Sequence, residues 1–381
     1  MSARKKALFS LAALAAAFIA AAVLAEIILR VVPLPGVVYN TFYYDELTGG
    51  HFYPNTTNIY RNERGDAARR RVNSWGYLDR EHDVSKAPGV TRIGFFGDSY
   101  TEARQVPFEN TFYRLVERAL NDRGTGTAYE CISLGFSGNS TLQCYLESGR
   151  WADRLDLDWI VYVFSENDLG DQIREIRGLQ KLPFARLDGD SFVVDNAFRQ
   201  RFRYKTRRLH RTLEYLRAHS LVISTVETRL RLLKRRGIRL KVTEAERYMA
   251  ERSDKNAIPT SGVAPSMWPD SLAGYARELG GRVMRAWTSD VRRSGRKFAV
   301  AYVPRPREMS RPYAEQDSWA GWLASVCLDE GLDLVDPSPA FLAELERGGE
   351  IYYDHMTPAG HAAFASTLVD YFLRKPVPET E

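Results

Sequence analysis

RIGFFGDSYTEA, residues 92–103, carries the first decision about this chain. RIGFFG has the short apolar composition of a strand buried on both faces, and Gly97, Asp98 and Ser99 bound it. A serine placed there is either a turn residue or a nucleophile. Downstream, Pro107 and Asn110 set up a helix from Thr111 to about Arg123, with Phe112, Leu115, Val116, Ala119 and Leu120 on one apolar stripe. The alternation continues with a strand at 129–135, a helix over 140–155 and an apolar strand at 157–165. After a long interruption come strands at 297–304 and 332–336, separated by a helix over 318–330, and a final helix over 358–373. Five strands alternating with helices predict an α/β chain, a three-layer α/β/α sandwich on a five-stranded parallel sheet. Ser99 then falls at the carboxyl end of a strand, where open α/β sheets bind their ligands.

The chain of 381 residues is 44% hydrophobic, enough for a packed core, which excludes a disordered protein. Its net charge of +5 suits anionic surfaces, but no nucleic-acid motif accompanies it and no nucleic-acid partner is expected. Cys131, Cys144 and Cys327 are too few and too scattered for a disulfide framework and read as core thiols, with a Cys131–Cys144 bridge as the alternative.

Residues 1–33 read as a transmembrane signal anchor. Arg4, Lys5 and Lys6 precede nineteen uncharged residues, Ala7 to Ala25, and Glu26 to Arg30 prolong the helix toward Pro33. Cations ahead of the apolar run keep the N-terminus cytoplasmic, so the remainder is expected on the periplasmic side of the inner membrane as a single-pass protein. Secretion after cleavage near Ala25 is the alternative. Residues 34–90, aromatic and rich in turn formers, read as an extended arm lying on a second domain, residues 91–381. That domain is interrupted by a helical and hairpin insertion at 170–290, with the hairpin turning at Asp188 and Gly189. Between Arg201 and Lys241 fourteen Lys or Arg face two Glu. This stretch is either a solvated helix face or a surface for anionic lipid headgroups or an acidic polysaccharide.

A serine hydroxyl attacks only when a base takes its proton, and DHMTPAGH, residues 354–361, supplies His355 just before the last helix. In these residues the chain resembles the SGNH or GDSL-type hydrolases, a family of esterases and acyltransferases with a flavodoxin-like sheet. GDSYT matches the family's nucleophile motif at Ser99, LGFSGNST the second motif, SEND the third and DHMTPAGH the fourth. The resemblance implies that Ser99 is the nucleophile and His355 the base. It further implies an oxyanion hole made by the backbone N–H groups of Ser99 and Gly138 and the side chain of Asn167. The family's acid usually stands two or three positions before the histidine. Here those positions hold Tyr353 and Tyr352, so Asp354 is assigned as the third catalytic member, with a backbone carbonyl or Glu350 as alternative orienting groups. Ser165 stands where the family usually has glycine. No G-x-S-x-G elbow is present. His361 reads as a structural histidine, Arg305, Arg307 and Glu166 as loop charge, and no metal or cofactor is expected.

The expected activity is that of an exported serine esterase removing acyl groups, acetyl foremost, from envelope carbohydrate through an acyl-enzyme at Ser99. An O-acetyltransferase acting on a polysaccharide, a lipid esterase and a catalytically silent glycan-binding module remain alternatives. Expected partners are an acylated carbohydrate or lipid substrate and the membrane; the sequence does not give the oligomeric state.

Overall fold

The structure, a computed structural model, describes residues 2–31, 42–61, 67–124, 126–177, 181–237, 270–304, 318–353 and 355–375. It begins with helix α1 (Ala3–Val31). Within it Arg4–Val31, whose most apolar 18-residue window has a mean hydropathy of 2.5, is long and apolar enough to cross a membrane. Its side chains are exposed except for Ala22, Ala25, Glu26 and Leu29, which are half-buried at the spacing of one helix face.

Two small antiparallel ladders follow. β1 (Phe42–Tyr43) pairs with β2 (His51–Phe52), and β3 (Thr57–Arg61) with β4 (Ala67–Arg71). The principal strands are β5 (Val90–Gly97), β6 (Ala128–Ser133) and β7 (Trp159–Phe164). After a hairpin of β8 (Phe184–Asp188) and β9 (Ser191–Asp195) come β10 (Lys297–Tyr302) and β11 (Asp333–Val335). One all-parallel sheet takes five of them in the order β6-β5-β7-β10-β11, the flavodoxin-like arrangement. The chain steps outward from β5 to β6 and then returns to β5's other side as β7. The carboxyl ends of β5 and β7 therefore flank the crevice where such sheets hold ligands.

Helices cover both faces. The helices after α1 are α2 (Ser99–Glu102), α3 (Phe112–Asp122), α4 (Thr141–Trp151), α5 (Asn167–Asp171), α6 (Arg174–Arg177), α7 (Ala197–Phe202), α8 (Arg208–His219), α9 (Leu221–Gly237), α10 (Asp270–Arg293), α11 (Trp319–Asp329), α12 (Ser338–Glu346) and α13 (Pro358–Arg374), of which α3, α4, α10 and α13 pack on the sheet. Strand side chains alternate between faces, so Ile160, Tyr162 and Phe164 of β7 join Trp287 of α10 and Leu142 of α4, while Val161 and Val163 join Val116 of α3 and Phe364 of α13. Both faces are apolar, which is why these strands read as continuous hydrophobic runs. Cys131, Cys144 and Cys327 are free and buried.

Segment 67–90 is stapled to this body by two buried arginines. Arg92 of β5 donates to the carbonyls of Asp83 (2.6 Å) and Val84 (2.9 Å) and to Glu130 Oε2 (2.6 Å). Arg70 of β4 donates to Ala103 O (3.0 Å), Tyr113 Oη (2.6 Å) and Leu78 O. A guanidinium has five donors in a fixed fork, so one side chain can bind several loop carbonyls that would otherwise be buried without partners.

His82 is buried between Asp79 Oδ2 (3.2 Å) and Glu130 Oε1 (2.6 Å), beside Arg80 and Arg92. Burial alone would push the imidazolium down, but hydrogen bonds to Asp79 and Glu130 outweigh it and hold its pKa at about 9. The folded pKa lies above the unfolded value of about 6.5, so the stabilisation is complete below that pH and is lost as pH rises through about 9. It is on the order of 3 kcal/mol. His82→Gln should therefore lower the melting temperature clearly near pH ~6 and hardly at all near pH ~10. An equal loss at both pH values would contradict the ion-pair account.

Candidate active site

β5 ends at Gly97, where a side chain would run into Thr101 and within 2.8 Å of Val163 O on β7. Glycine thus lets the chain turn tightly between two strands. Asp98 caps α2, accepting the Tyr100 N–H at 2.9 Å, and Ser99 is the first residue of that helix. The short helix closes at Ala103, in the left-handed region at φ 50°, whose carbonyl is held by Arg70. The turn that presents Ser99 is therefore braced from behind by the preceding segment.

The Ser99 hydroxyl meets His355, with Ser99 Oγ 2.9 Å from Nε2. With the imidazole proton on Nδ1, Nε2 accepts the serine hydrogen, the arrangement a serine nucleophile needs. His355 sits between a bridge pairing Tyr352 with Met356 and the cap of α13, where Thr357 accepts from Gly360 N at 3.1 Å. Its ring lies 5.3 Å from that of Tyr100. Asp354, Arg305 and Arg307 lie outside the described residues. Glu350 is exposed.

The loop after β6 comes up beside Ser99. Leu134 N donates to Phe95 O (2.8 Å), Phe136 N to Gly97 O (3.1 Å) and Ser137 N to Glu102 Oε2 (2.6 Å), so the loop is pinned to β5 and α2. Gly138 follows with φ 79°, a conformation that favours glycine. Arg177 occupies the space a side chain there would need, and its Nη1 lies 2.8 Å from Asp171. Burial raises the Glu102 carboxyl, opposed by Arg104, by the Ser137 N–H and by His355. Burial also raises Asp171, to about 6, with Arg177 pulling the other way.

Asn167 opens α5 at the end of β7. Its Nδ2 donates to Asp98 Oδ2 at 2.9 Å and makes a longer contact of 3.4 Å to Asp168 Oδ1. Ser165, in the place of the expected glycine, sets its hydroxyl within hydrogen-bond distance of Asp98 (3.0 Å), Asp168 (3.1 Å) and the Asn167 Oδ1 (2.8 Å). Burial, with the Asp98 charge beside it, pushes the Asp168 carboxyl well above the usual carboxylate range and favours its protonated form. Ser99, Gly138, Asn167 and His355 are thus carried by four separate segments on one end of the sheet.

His361 packs elsewhere. It is fully buried, parallel to the Phe112 ring, accepts the Phe112 N–H at Nδ1 (3.3 Å), and burial drives its pKa down to about 3. Arg177, and the Asp98–Ser165–Asp168 cluster as a connected set, were not singled out by sequence reasoning. Only the SEND motif pointed near them; nothing in DQIREIR distinguishes Arg177 from loop charge.

None of the curated proteins matches the chain. Solved structures similar to it include the acetyl xylan esterase AlAXEase (14% identity, 74% of this chain and 98% of that one, TM-score 0.36) and TesA (11% identity, 74% and 98%, TM-score 0.39). An acetylxylan esterase from Geobacillus stearothermophilus is similar at 11% identity, over 74% of this chain and 93% of that one, with a TM-score of 0.39. At such scores the likeness bears on neither substrate nor mechanism. The profile of the GDSL-like lipase/acylhydrolase family matches residues 95–363, from the end of β5 through His355 into α13. With that span and the parallel sheet of order β6-β5-β7-β10-β11, this chain belongs to the GDSL-like lipase/acylhydrolase family.

Proposed function

We propose that the protein is an exported, membrane-tethered serine esterase that removes acyl groups, acetyl foremost, from carbohydrate of the cell envelope. The observation that carries this reading is the 2.9 Å approach of Ser99 Oγ to His355 Nε2 at the crevice between β5 and β7. Ser99 attacks the ester carbonyl while His355 takes its proton, giving a tetrahedral oxyanion. The donors assigned to that oxygen are the backbone N–H groups of Ser99 and Gly138, and Asn167 adds one N–H by turning from Asp168, the longer of its two contacts. Each such donor is typically worth ~3–4 kcal/mol of barrier. His355 then protonates the departing sugar alkoxide. Water, deprotonated by the same imidazole, releases the acid and restores Ser99.

Asp354 is the acid in this scheme, orienting the imidazole through Nδ1 and stabilising the imidazolium that forms during attack. What supports a sugar ester over a long acyl chain is the polar character of the groups nearest the reacting atoms. Tyr100 lies against His355 and the Arg177 guanidinium against Gly138. The tether is α1, whose length and hydropathy suit a membrane span with three cations on its cytoplasmic flank.

The purified protein should hydrolyse a short-chain aryl acetate, and Ser99→Ala should abolish that activity; hydrolysis unchanged in the variant would refute the serine mechanism. With an acceptor oligosaccharide present, free acetate is the expected product, whereas acylated oligosaccharide formed at its expense would establish transfer instead. Asp354→Asn should lower kcat by a factor on the order of 10⁴ with the fold intact; a tenfold or smaller drop beside near-complete loss in His355→Ala would leave a dyad. Gly138→Ala forces a side chain into a left-handed position against Arg177 and should reduce kcat far more than its cost in stability of about 1 kcal/mol accounts for. Unchanged kcat there would remove Gly138 N–H from the mechanism.

A further inference from the structure

We propose that α8 and α9 form a second membrane-contacting element, whose apolar stripes rest in the outer leaflet of the bilayer that α1 crosses, among anionic phospholipid headgroups. The inference relies on the reading of α1 as a retained membrane span.

Both helices turn apolar side chains outward. Leu209, Leu213 and Leu216 of α8 recur at i, i+4 and i+7, and Ile223, Val226 and Leu230 of α9 at i, i+3 and i+7, so each set forms one stripe. All six are between 39 and 71% exposed. On α8 the side opposite the leucines carries Glu214, which is buried, and Ala218, which is half-buried. A helix lying on a protein in water buries its leucines and exposes its glutamate; α8 does the reverse. Exposed Arg208 and Arg217 flank the α8 stripe and exposed Arg229 that of α9, while Arg211 lies on the opposite side of α8 with Glu214 and Ala218. Apolar stripes bordered by guanidinium groups are the pattern of helices lying in a membrane interface, where cations meet anionic headgroups.

The connection to α1 fixes the depth. Glu26 accepts the Ser220 hydroxyl (3.0 Å) and the backbone N–H groups of Leu221 (3.0 Å) and Val222 (3.1 Å), capping the first turn of α9. Arg30 donates to His219 O at 3.1 Å. Glu26 and Arg30 are the first charges after the apolar run of α1, so they mark the height at which the chain leaves hydrocarbon. The corner between α8 and α9 is clamped at that height. On its other side this unit is held to the body: Tyr53 contacts the rings of Tyr215 and His219, and Arg199 of the preceding α7 donates to Glu46 O at 2.6 Å.

The test uses the full chain reconstituted into phosphatidylcholine vesicles containing phosphatidylglycerol. Because Cys131, Cys144 and Cys327 are free but buried, single introduced cysteines can carry a nitrobenzoxadiazole label. Labels are placed by Leu213→Cys, Val226→Cys, Arg211→Cys and Leu14→Cys. In the first two, blue-shifted emission is expected, quenched by lipids brominated near the headgroup and shielded from aqueous iodide, whereas Arg211→Cys should remain open to iodide. If the first two are as open to iodide as Arg211→Cys while Leu14→Cys is shielded, the anchor stands and this inference falls. An iodide-accessible Leu14→Cys would overturn the anchor reading and the inference together. Shielding of Leu213→Cys and Val226→Cys that appears only on adding a soluble anionic polysaccharide would assign the surface to glycan instead. Shielding unchanged in phosphatidylcholine alone would refute the headgroup-charge component.

Discussion

The carboxylate of Asp98 is the tie on which the active-site end of the sheet depends. It is buried where β5 stops and gathers hydrogens from the Tyr100 backbone, the Ser165 hydroxyl and the Asn167 amide. The first of these partners lies in the helix that carries Ser99, and the other two lie just past the end of β7. One buried charge thus fixes both edges of the crevice, and a buried charge without such partners would be prohibitively costly. Asp168, beside it, is driven toward its protonated form by burial and by that charge, which limits the repulsion between the two acids. The serine where the family usually has glycine fits this picture, because its hydroxyl bridges both carboxyl groups.

A second layer of support comes from residues that lead into the sheet. Arg70 holds the carbonyl at the end of α2, Glu102 holds the loop beside Gly138, and Arg92 with His82 and Glu130 closes the base of β5. These polar contacts are buried, so each is expensive to break, and together they keep the crevice from relaxing.

The five strands and their parallel direction were legible from the sequence because the central strands β5, β7 and β10 are buried on both faces, leaving apolar runs bounded by turn residues. The helices facing the sheet were read less evenly. α3 and α13 carry clean stripes, whereas α12 begins within the close repeat Pro337-Ser338-Pro339, and α10 falls inside a stretch read as an insertion although its Trp287 packs against Phe96, Tyr162 and Phe298. Ser99 and His355 were legible through motif order, and the structure brings them into hydrogen-bond contact. The polar cluster behind Asn167, the arginine staples and the ladders within 42–71 were not. They depend on partners far apart in sequence, such as Arg70 with Ala103 and His51 with Glu147, and no local periodicity encodes such pairs.

The central claim is that Asp98 holds Ser99 and Asn167 in a reactive arrangement with His355. Reaction with a fluorophosphonate, followed by peptide mass mapping, tests it most directly, since labelling requires an activated serine and a formed oxyanion hole but no knowledge of the natural ester. The account predicts a single phosphonyl group on Ser99 in the wild-type protein and labelling slowed at least a hundredfold in a folded Asp98→Asn variant. Labelling of that variant at the wild-type rate, or none of Ser99 in the wild-type protein, would contradict it.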